Sequence, residues 1–271
     1  MPELPEVETT RRGLEPHING ARITTLTIRD RRLRWPVDKK LPILLTGQQL
    51  NAIGRRGKYL IFEFERASLL IHLGMSGSLR LVETNSVPRT HDHLDFCFDN
   101  QLTMRFHDPR RFGSVLYTSQ PPLDHPLLNS LGPEPLGNQF NGDDLYTRSR
   151  NRKLAVKAFV MDSHIVVGVG NIYASEALFL CGIHPKRAAG RISLQRYHRL
   201  ATSIRQVLSK AVQEGGTTLR DFVNSQGEPG YFAQHLNVYG RDGEACNRCS
   251  NKIKQLVIGQ RASYYCSNCQ R

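Results

Sequence analysis

Apolar and polar residues alternate along the first third of the chain. KYLIFEFER (58–66) alternates between charged flanks, and SLLIHL (68–73) and HLDFCF (93–98) are similar, with Gly74, Gly77 and Asp99-Asn100 between these runs. Short apolar runs bounded by turn residues predict strands, and their succession predicts a β-sandwich or barrel. A helix is expected only near the start, with Pro5 in its first turn and Val7 along it. The pattern then breaks at QPPLDHPLLNSLGPEPLG (120–137), where five prolines in 18 residues suit a linker. Beyond it the period becomes helical. In SLQRYHRLATSIRQVLSKAVQEGG (193–216), Ser193 is placed to cap a helix. Leu194, Tyr197, Leu200, Ile204, Val207, Leu208 and Ala211 form one apolar stripe, and Gly215-Gly216 end it. DDLYTRSRNRKLAVKAFVMD (143–162) predicts a second helix with a basic middle. The fold class expected is α+β.

Charge narrows the partner. Lys and Arg number 37 against 24 acids, a net charge of +13. That balance favours a polyanion, with nucleic acid ahead of an acidic membrane surface, and simple solubility as the bland alternative. No run approaches the roughly 20 apolar residues of a membrane span. The start lacks a basic stretch followed by an apolar one, so a cytoplasmic location is expected.

Four of the six cysteines fall in the last 26 residues, as Cys246-x2-Cys249-x16-Cys266-x2-Cys269. Two such knuckles place four thiolates around one zinc ion, joined by a segment long enough for a β-hairpin. Four protein ligands close the coordination sphere, so the site is structural. Arg248, Lys252, Lys254 and Arg261 around it suit nucleic-acid contact, as against a protein-binding ribbon or a simple staple.

Four further stretches carry weaker signals. VVGVGNIYASEALF (166–179) leads through glycines into a helix at Asn171; such a turn offers backbone N–H groups to a DNA phosphate, and a plain helix cap has the same pattern. HLGMSGSL (72–79) and HDPRRFG (107–113) put Met75, Arg110 and Phe112 in loops, where the apolar pair is either core or a wedge for a duplex. MPELPEVE, finally, opens a basic chain with three glutamates and two prolines. Once Met1 is removed, Pro2 carries a secondary amine, which attacks sugar C1′ to give a permanently cationic iminium. Glu3 and Glu6 are placed to move protons beside it. The alternative is a flexible acidic tail.

Taken together, MPELPEVE, GRRGKYL (54–60), HLGMSGSL, HDPRRFG, LGPEPL (131–136), VVGVGNIYASE, EGGTTLRDF (214–222), PGYFAQ (229–234), VYGR (238–241) and GQRASYYCSNCQ resemble the bacterial formamidopyrimidine-DNA glycosylase family along the whole chain. The related endonuclease VIII typically opens Pro-Glu-Gly-Pro; Leu4 here favours the purine-lesion branch. The resemblance implies an N-terminal β-sandwich flanked by helices (1–119), a linker (120–137), a helix–two-turn–helix domain (138–236) and a zinc finger (237–271). It implies a monomeric, nucleoid-associated enzyme with one structural zinc. Its substrate would be double-stranded DNA carrying damaged bases or abasic sites; it would excise oxidised purines and cut the strand by β,δ-elimination. By position, Pro2 matches the Schiff-base nucleophile, Glu3 the general acid at the sugar, Lys58 the lysine tied to β-elimination, and Arg261 the arginine assigned to δ-elimination and phosphate contact. His91, Arg110, Arg152 and Asn171 match DNA-backbone or opposite-strand contacts. Met75, Arg110 and Phe112 resemble the triad that fills the gap left by an extruded nucleotide, a step costing a few kcal/mol of stacking. Two positions depart from the pattern: Gln226 stands where aspartate is frequent, and Gly57 where alanine is common. The competing readings are a pyrimidine-lesion glycosylase and a non-catalytic zinc-ribbon nucleic-acid-binding protein.

Overall fold

The computed structural model describes residues 2–217 and 235–271; Met1, Gln226 and the stretch PGYFAQ lie outside the described residues. The chain forms two compact units, residues 2–130 with 214–217 and residues 131–213 with 235–271. Each is described by itself.

The first unit opens with helix α1 (Leu4–Ile18), and Pro5 does sit in its first turn. Two four-stranded antiparallel sheets follow. One has the order β1 (Ile23–Ile28), β6 (Asp92–Phe98), β7 (Leu102–His107), β5 (Ser78–Glu83). The other has the order β2 (Leu50–Arg56), β3 (Tyr59–Phe64), β4 (Ser68–His72), β8 (Ser114–Thr118). A short helix α2 (Leu41–Leu45) lies between β1 and β2 in sequence. Leu60, Phe62, Leu69 and Ile71 of one sheet share a core with Leu94, Phe96, Met104 and Phe106 of the other, and Val7, Leu14 and Ile18 of α1 join it. This is the expected β-sandwich. The strands KYLIFEFER, SLLIHL and HLDFCF all form, and β4 is buried at four successive positions, as its run of Leu69, Leu70 and Ile71 suits.

Helix α1 is tied to β2 by charge. Glu8 accepts hydrogen bonds from Arg11, Arg12 and, at 3.0 Å, Arg55. Burial pushes the Glu8 carboxyl up, but the three guanidiniums outweigh it and bring it down to about 2. A carboxylate whose folded pKa is depressed stabilises the fold above its unfolded value of about 4.5 and loses that contribution as pH falls towards 2. Glu8→Gln should therefore lower the urea midpoint at pH 7, and the gap between variant and wild type should shrink steadily below about pH 4.5.

The second unit contains α3 (Gly142–Ser149), α4 (Val156–Val160), α5 (Asn171–Leu180), α6 (Leu194–Gln213) and a hairpin of β9 (Ile253–Ile258) and β10 (Arg261–Cys266). Helix α6 forms where expected, but Leu194 is 39% exposed and leaves the stripe that Tyr197, Leu200, Ile204, Val207, Leu208 and Ala211 bury. The single helix expected over 143–162 is instead two, α3 and α4. Its basic middle is a loop: Arg150 turns back to donate to the Tyr146 carbonyl and reaches the carbonyls of Gly190 and Ile192. Asn151 adopts a left-handed φ of 62°, and Ala155 pairs with Ala188. Hydrogen bonds to residues distant in sequence thus outcompete the helical ladder. No helix among the described residues is long and apolar enough to cross a membrane.

Candidate active site and nucleic-acid interface

The N-terminus is not a tail. Pro2 is buried and Glu3 is 3% exposed. The Glu3 amide donates to Glu6 Oε2 at 2.7 Å, and Glu6 Oε1 accepts from the Thr217 amide at 2.8 Å. Gly216 has a φ of +83°, and a Cβ there would come within 3.1 Å of Glu6 Oε1, so only glycine follows this path without strain. Glu6, expected to move protons, spends both oxygens holding backbone: it fixes the residue beside Pro2 and joins it to a segment far along the chain. Thr217 was not singled out from the sequence, because its contribution is a main-chain amide.

Lys58 sits half-buried at the tip of the β2–β3 hairpin, where Arg56 pairs with Tyr59. The preceding Gly57 has a φ of 57°, left-handed, which glycine adopts more easily than the commoner alanine. Beside Lys58 lies His72, packed at a tilt of 55° against Tyr59 with ring centroids 4.8 Å apart. Burial pushes the His72 imidazole down to about 4, with the charges of Lys58 and Arg34 adding to the effect. The Gly74 amide donates to His72 Nδ1 at 2.9 Å, so the neutral ring carries its proton on Nε2. His72 is thus a neutral donor beside a lysine, a feature that strand periodicity does not reveal.

Met75 and Phe112 are not core: they are 38% and 47% exposed. Arg110 is exposed too, its guanidinium 5.3 Å from the centroid of the Phe112 ring. The two loops that carry them touch through their backbones, for a Cβ on Gly74 would lie 2.4 Å from Phe112 C. Asp108, fully buried, accepts from Ser76 Oγ at 3.0 Å through one oxygen and from the Gly113 amide at 2.7 Å through the other. His91, at the edge of the same region, is exposed with a left-handed φ of 72°, and its carbonyl accepts from the Asp108 amide.

In the second unit, the glycine turn leads into α5 as expected, with Gly170 at the N-cap and Asn171 at the first helical position. The Asn171 side chain is already engaged: Lys157 Nζ donates to its Oδ1 at 2.6 Å, and its Nδ2 donates to the Ala262 carbonyl at 3.0 Å. Lys157, 1% exposed, also donates to Ser263 Oγ and the Ala262 carbonyl. This lysine, overlooked in the basic run of the sequence, docks β10 against α4 and α5. Lys157→Met should strand these acceptors and lower the unfolding free energy by about 1–3 kcal/mol, read by urea denaturation. Arg261 is exposed where the β9–β10 turn closes, lining a cleft of about 210 Å³ with Lys157, Met161 and Asp162 among others. Arg152 is exposed, its Nε donating to the Arg148 carbonyl. Glu176, 1% exposed, accepts the amides of Asn237, Val238 and Tyr239, anchoring the VYGR stretch.

The four cysteines converge. All their sulfurs lie within 4.8 Å of one another, with Cys246–Cys269 at 3.9 Å and Cys249–Cys266 at 3.4 Å. Zn–S bonds of about 2.3 Å in a tetrahedron need S···S separations of about 3.8 Å, so the set fits one zinc ion. Gln270 links this site to the helices, accepting from the Cys266 amide and donating to the Ile183 carbonyl.

Comparisons with known proteins agree with this geometry. Residues 1–115 match the formamidopyrimidine-DNA glycosylase N-terminal domain, residues 131–223 its H2TH domain, and residues 243–271 the zinc finger found in FPG and IleRS. Formamidopyrimidine-DNA glycosylases of Nitrosococcus oceani and Stutzerimonas stutzeri are 57% and 56% identical, over the full length of each pair. Among solved structures, the complex between Lactococcus lactis Fpg and an abasic-site-containing DNA superposes with a TM-score of 0.93 at 34% identity, covering 99% of both chains. The MutM (FPG) protein of Thermus thermophilus gives 0.89 at 37% identity, covering 99% of this chain and 98% of its own. With three domain matches in the family's order and full-length relatives above half identity, the chain belongs to the formamidopyrimidine-DNA glycosylase family.

Proposed function

We propose that the protein is a base-excision repair enzyme that removes oxidised purines from duplex DNA and cleaves the strand at the resulting abasic site. The observation that carries this reading is the buried Pro2–Glu3 terminus, braced by Glu6. The Pro2 nitrogen attacks C1′, and the base leaves with the electrons of the glycosidic bond; the proton shed by the now four-bonded nitrogen balances the one the base takes up, and the nitrogen regains its lone pair. The nitrogen lone pair then opens the sugar ring, Glu3 protonating the released O4′, and the product is a cationic iminium. That cation acidifies C2′. Loss of the C2′ proton expels the 3′ phosphate, and a second proton loss, at C4′, expels the 5′ phosphate. Lys58 serves the first elimination, and Arg261 serves the second and contacts phosphate.

The other residues position DNA. His91, Arg152 and Asn171 contact the backbone, Met75 and Phe112 fill the space of the extruded nucleotide, and Arg110 meets the orphaned base. The four cysteines hold zinc, which supplies a rigid cross-link for the β9–β10 hairpin. Residues 1–119 carry Pro2, Glu3, Lys58 and the wedge, 138–236 carry Arg152 and Asn171, 237–271 carry Arg261 and the zinc site, and 120–137 form the linker.

Borohydride reduction with an 8-oxoguanine duplex, followed by mapping of the cross-linked residue, tests the reading: Pro2 should carry the adduct. A guanidinium donates to the acceptors of an unpaired cytosine. Arg110→Ala should therefore reduce the preference for cytosine over adenine opposite the lesion by about tenfold, a loss of the size of one good base contact. Equal slowing on both duplexes would instead assign Arg110 to phosphate alone.

A further inference from the structure

We infer that the Asp108 carboxylate is a latch that sets Met75, Arg110 and Phe112 in place before DNA arrives, which makes Asp108 a positioning residue for base extrusion. The inference rests on the proposed glycosylase function. Each of the three residues lies within one residue of a group in the carboxylate's hydrogen-bond network. Met75 precedes Ser76, whose Oγ donates to Asp108 Oδ1 at 3.0 Å. Phe112 precedes Gly113, whose amide donates to Oδ2 at 2.7 Å. The Arg110 amide donates to the same Ser76 Oγ at 3.3 Å, so the hydroxyl relays between the loops.

Asp108 itself is immobilised. Its amide donates to the His91 carbonyl, and its carbonyl receives His93 Nε2 at 2.8 Å and the Arg111 amide at 3.2 Å. Among the described residues no lysine or arginine forms an ion pair with its side chain. A buried carboxylate held only by neutral donors is costly. What it provides is two acceptor oxygens facing two loops at once. An asparagine keeps the Gly113 contact through its one carbonyl oxygen and reaches Ser76 only by donating to the hydroxyl, so removing both oxygens with alanine is the cleaner break. Arg111 is drawn the other way, to Asp30 at 2.8 Å, with a left-handed φ of 58°. The alternation of Arg110 outwards and Arg111 sideways keeps the guanidinium of Arg110 over Phe112. A wedge ordered in the free protein spends none of the binding energy on its own ordering, leaving that energy for unstacking the target base.

Two variants test this, Asp108→Ala, which removes both acceptor oxygens, and the milder Ser76→Ala, with Ser76→Thr as the rescue that keeps the hydroxyl. In the DNA-free protein, hydrogen exchange at the Gly113 amide in Asp108→Ala, and at the Arg110 amide in both variants, should accelerate by about tenfold or more. In stopped-flow, 2-aminopurine beside 8-oxoguanine should report opening of the stack about tenfold more slowly in both variants, and Ser76→Thr should restore the rate. The ratio of borohydride trapping on lesion duplex to trapping at an abasic site in a single strand should fall by a similar factor, because only the duplex requires a wedge. Unchanged exchange, or faster exchange with an unchanged opening rate, overturns the latch. A wild-type protein that never excises 8-oxoguanine overturns the glycosylase reading instead, and the exchange data separately decide whether the carboxylate holds the loops.

Discussion

Protein that retains Met1 is expected to bind lesion-containing duplex and to yield no borohydride-trapped complex, a loss of several orders of magnitude against the processed chain. The reason is electronic. In the processed protein the Pro2 nitrogen is a secondary amine with an available lone pair, and a terminal amine, with a pKa near 8, is partly neutral at pH 7. With Met1 in place the same nitrogen belongs to an amide, and resonance removes the lone pair from nucleophilic use. Phosphate contacts are untouched, so affinity should survive. Mass spectrometry of the terminus and single-turnover excision on the same sample make the test. Normal trapping by the Met1-retaining chain would move the nucleophile elsewhere, with Lys58 the first suspect.

Cys249→Ser is expected to abolish tight duplex binding, by at least about 100-fold, with far-ultraviolet and denaturation signals of the β-sandwich retained. Structural zinc supplies folding free energy outright, of the order of 10 kcal/mol for small sites. The hairpin it holds is small. Its core is Val238, Cys246, Ile253 and Cys266 packed with Phe179, too little apolar surface to stand alone. Arg261 belongs to that hairpin, and the Asn171 side chain bonds to its Ala262 carbonyl, so loosening the hairpin disturbs both residues that we propose contact phosphate. Chelation of the wild type should reproduce the effect. One zinc per chain by metal analysis is required; its absence from native protein would defeat the assignment.

Much of this was legible in the residues. Short apolar runs bounded by charged or turn residues locate β3, β4 and β6, because strands of a sandwich bury most of their positions and end where the chain must turn. The paired cysteine knuckles specify a site on their own, since tetrahedral coordination dictates spacing. The break of 143–162 into two helices was hidden, because the hydrogen bonds that decide it run from Arg150 to residues some 40 positions away. Lys157 and Glu176 were hidden for a related reason. Each looks like an ordinary solvated charge in a helical segment, and only packing shows that each is buried against backbone from elsewhere. The bracing contacts of Glu6 were hidden as well, since adjacency to Pro2 suggests proton transfer and only the fold brings the Thr217 amide to its carboxylate.

That brace bears on when the protein becomes an enzyme. Glu6 and Thr217 are separated by 211 residues. During synthesis the terminus leaves the ribosome first, so the trimming of Met1 that the proposed mechanism requires can precede the making of the rest of the chain. The amine can therefore be chemically ready long before its surroundings exist. Only after residue 217 has emerged can the Glu6 carboxylate take up its second partner. A chain that stops before residue 217 would carry its terminus without the Thr217 contact that braces Glu6.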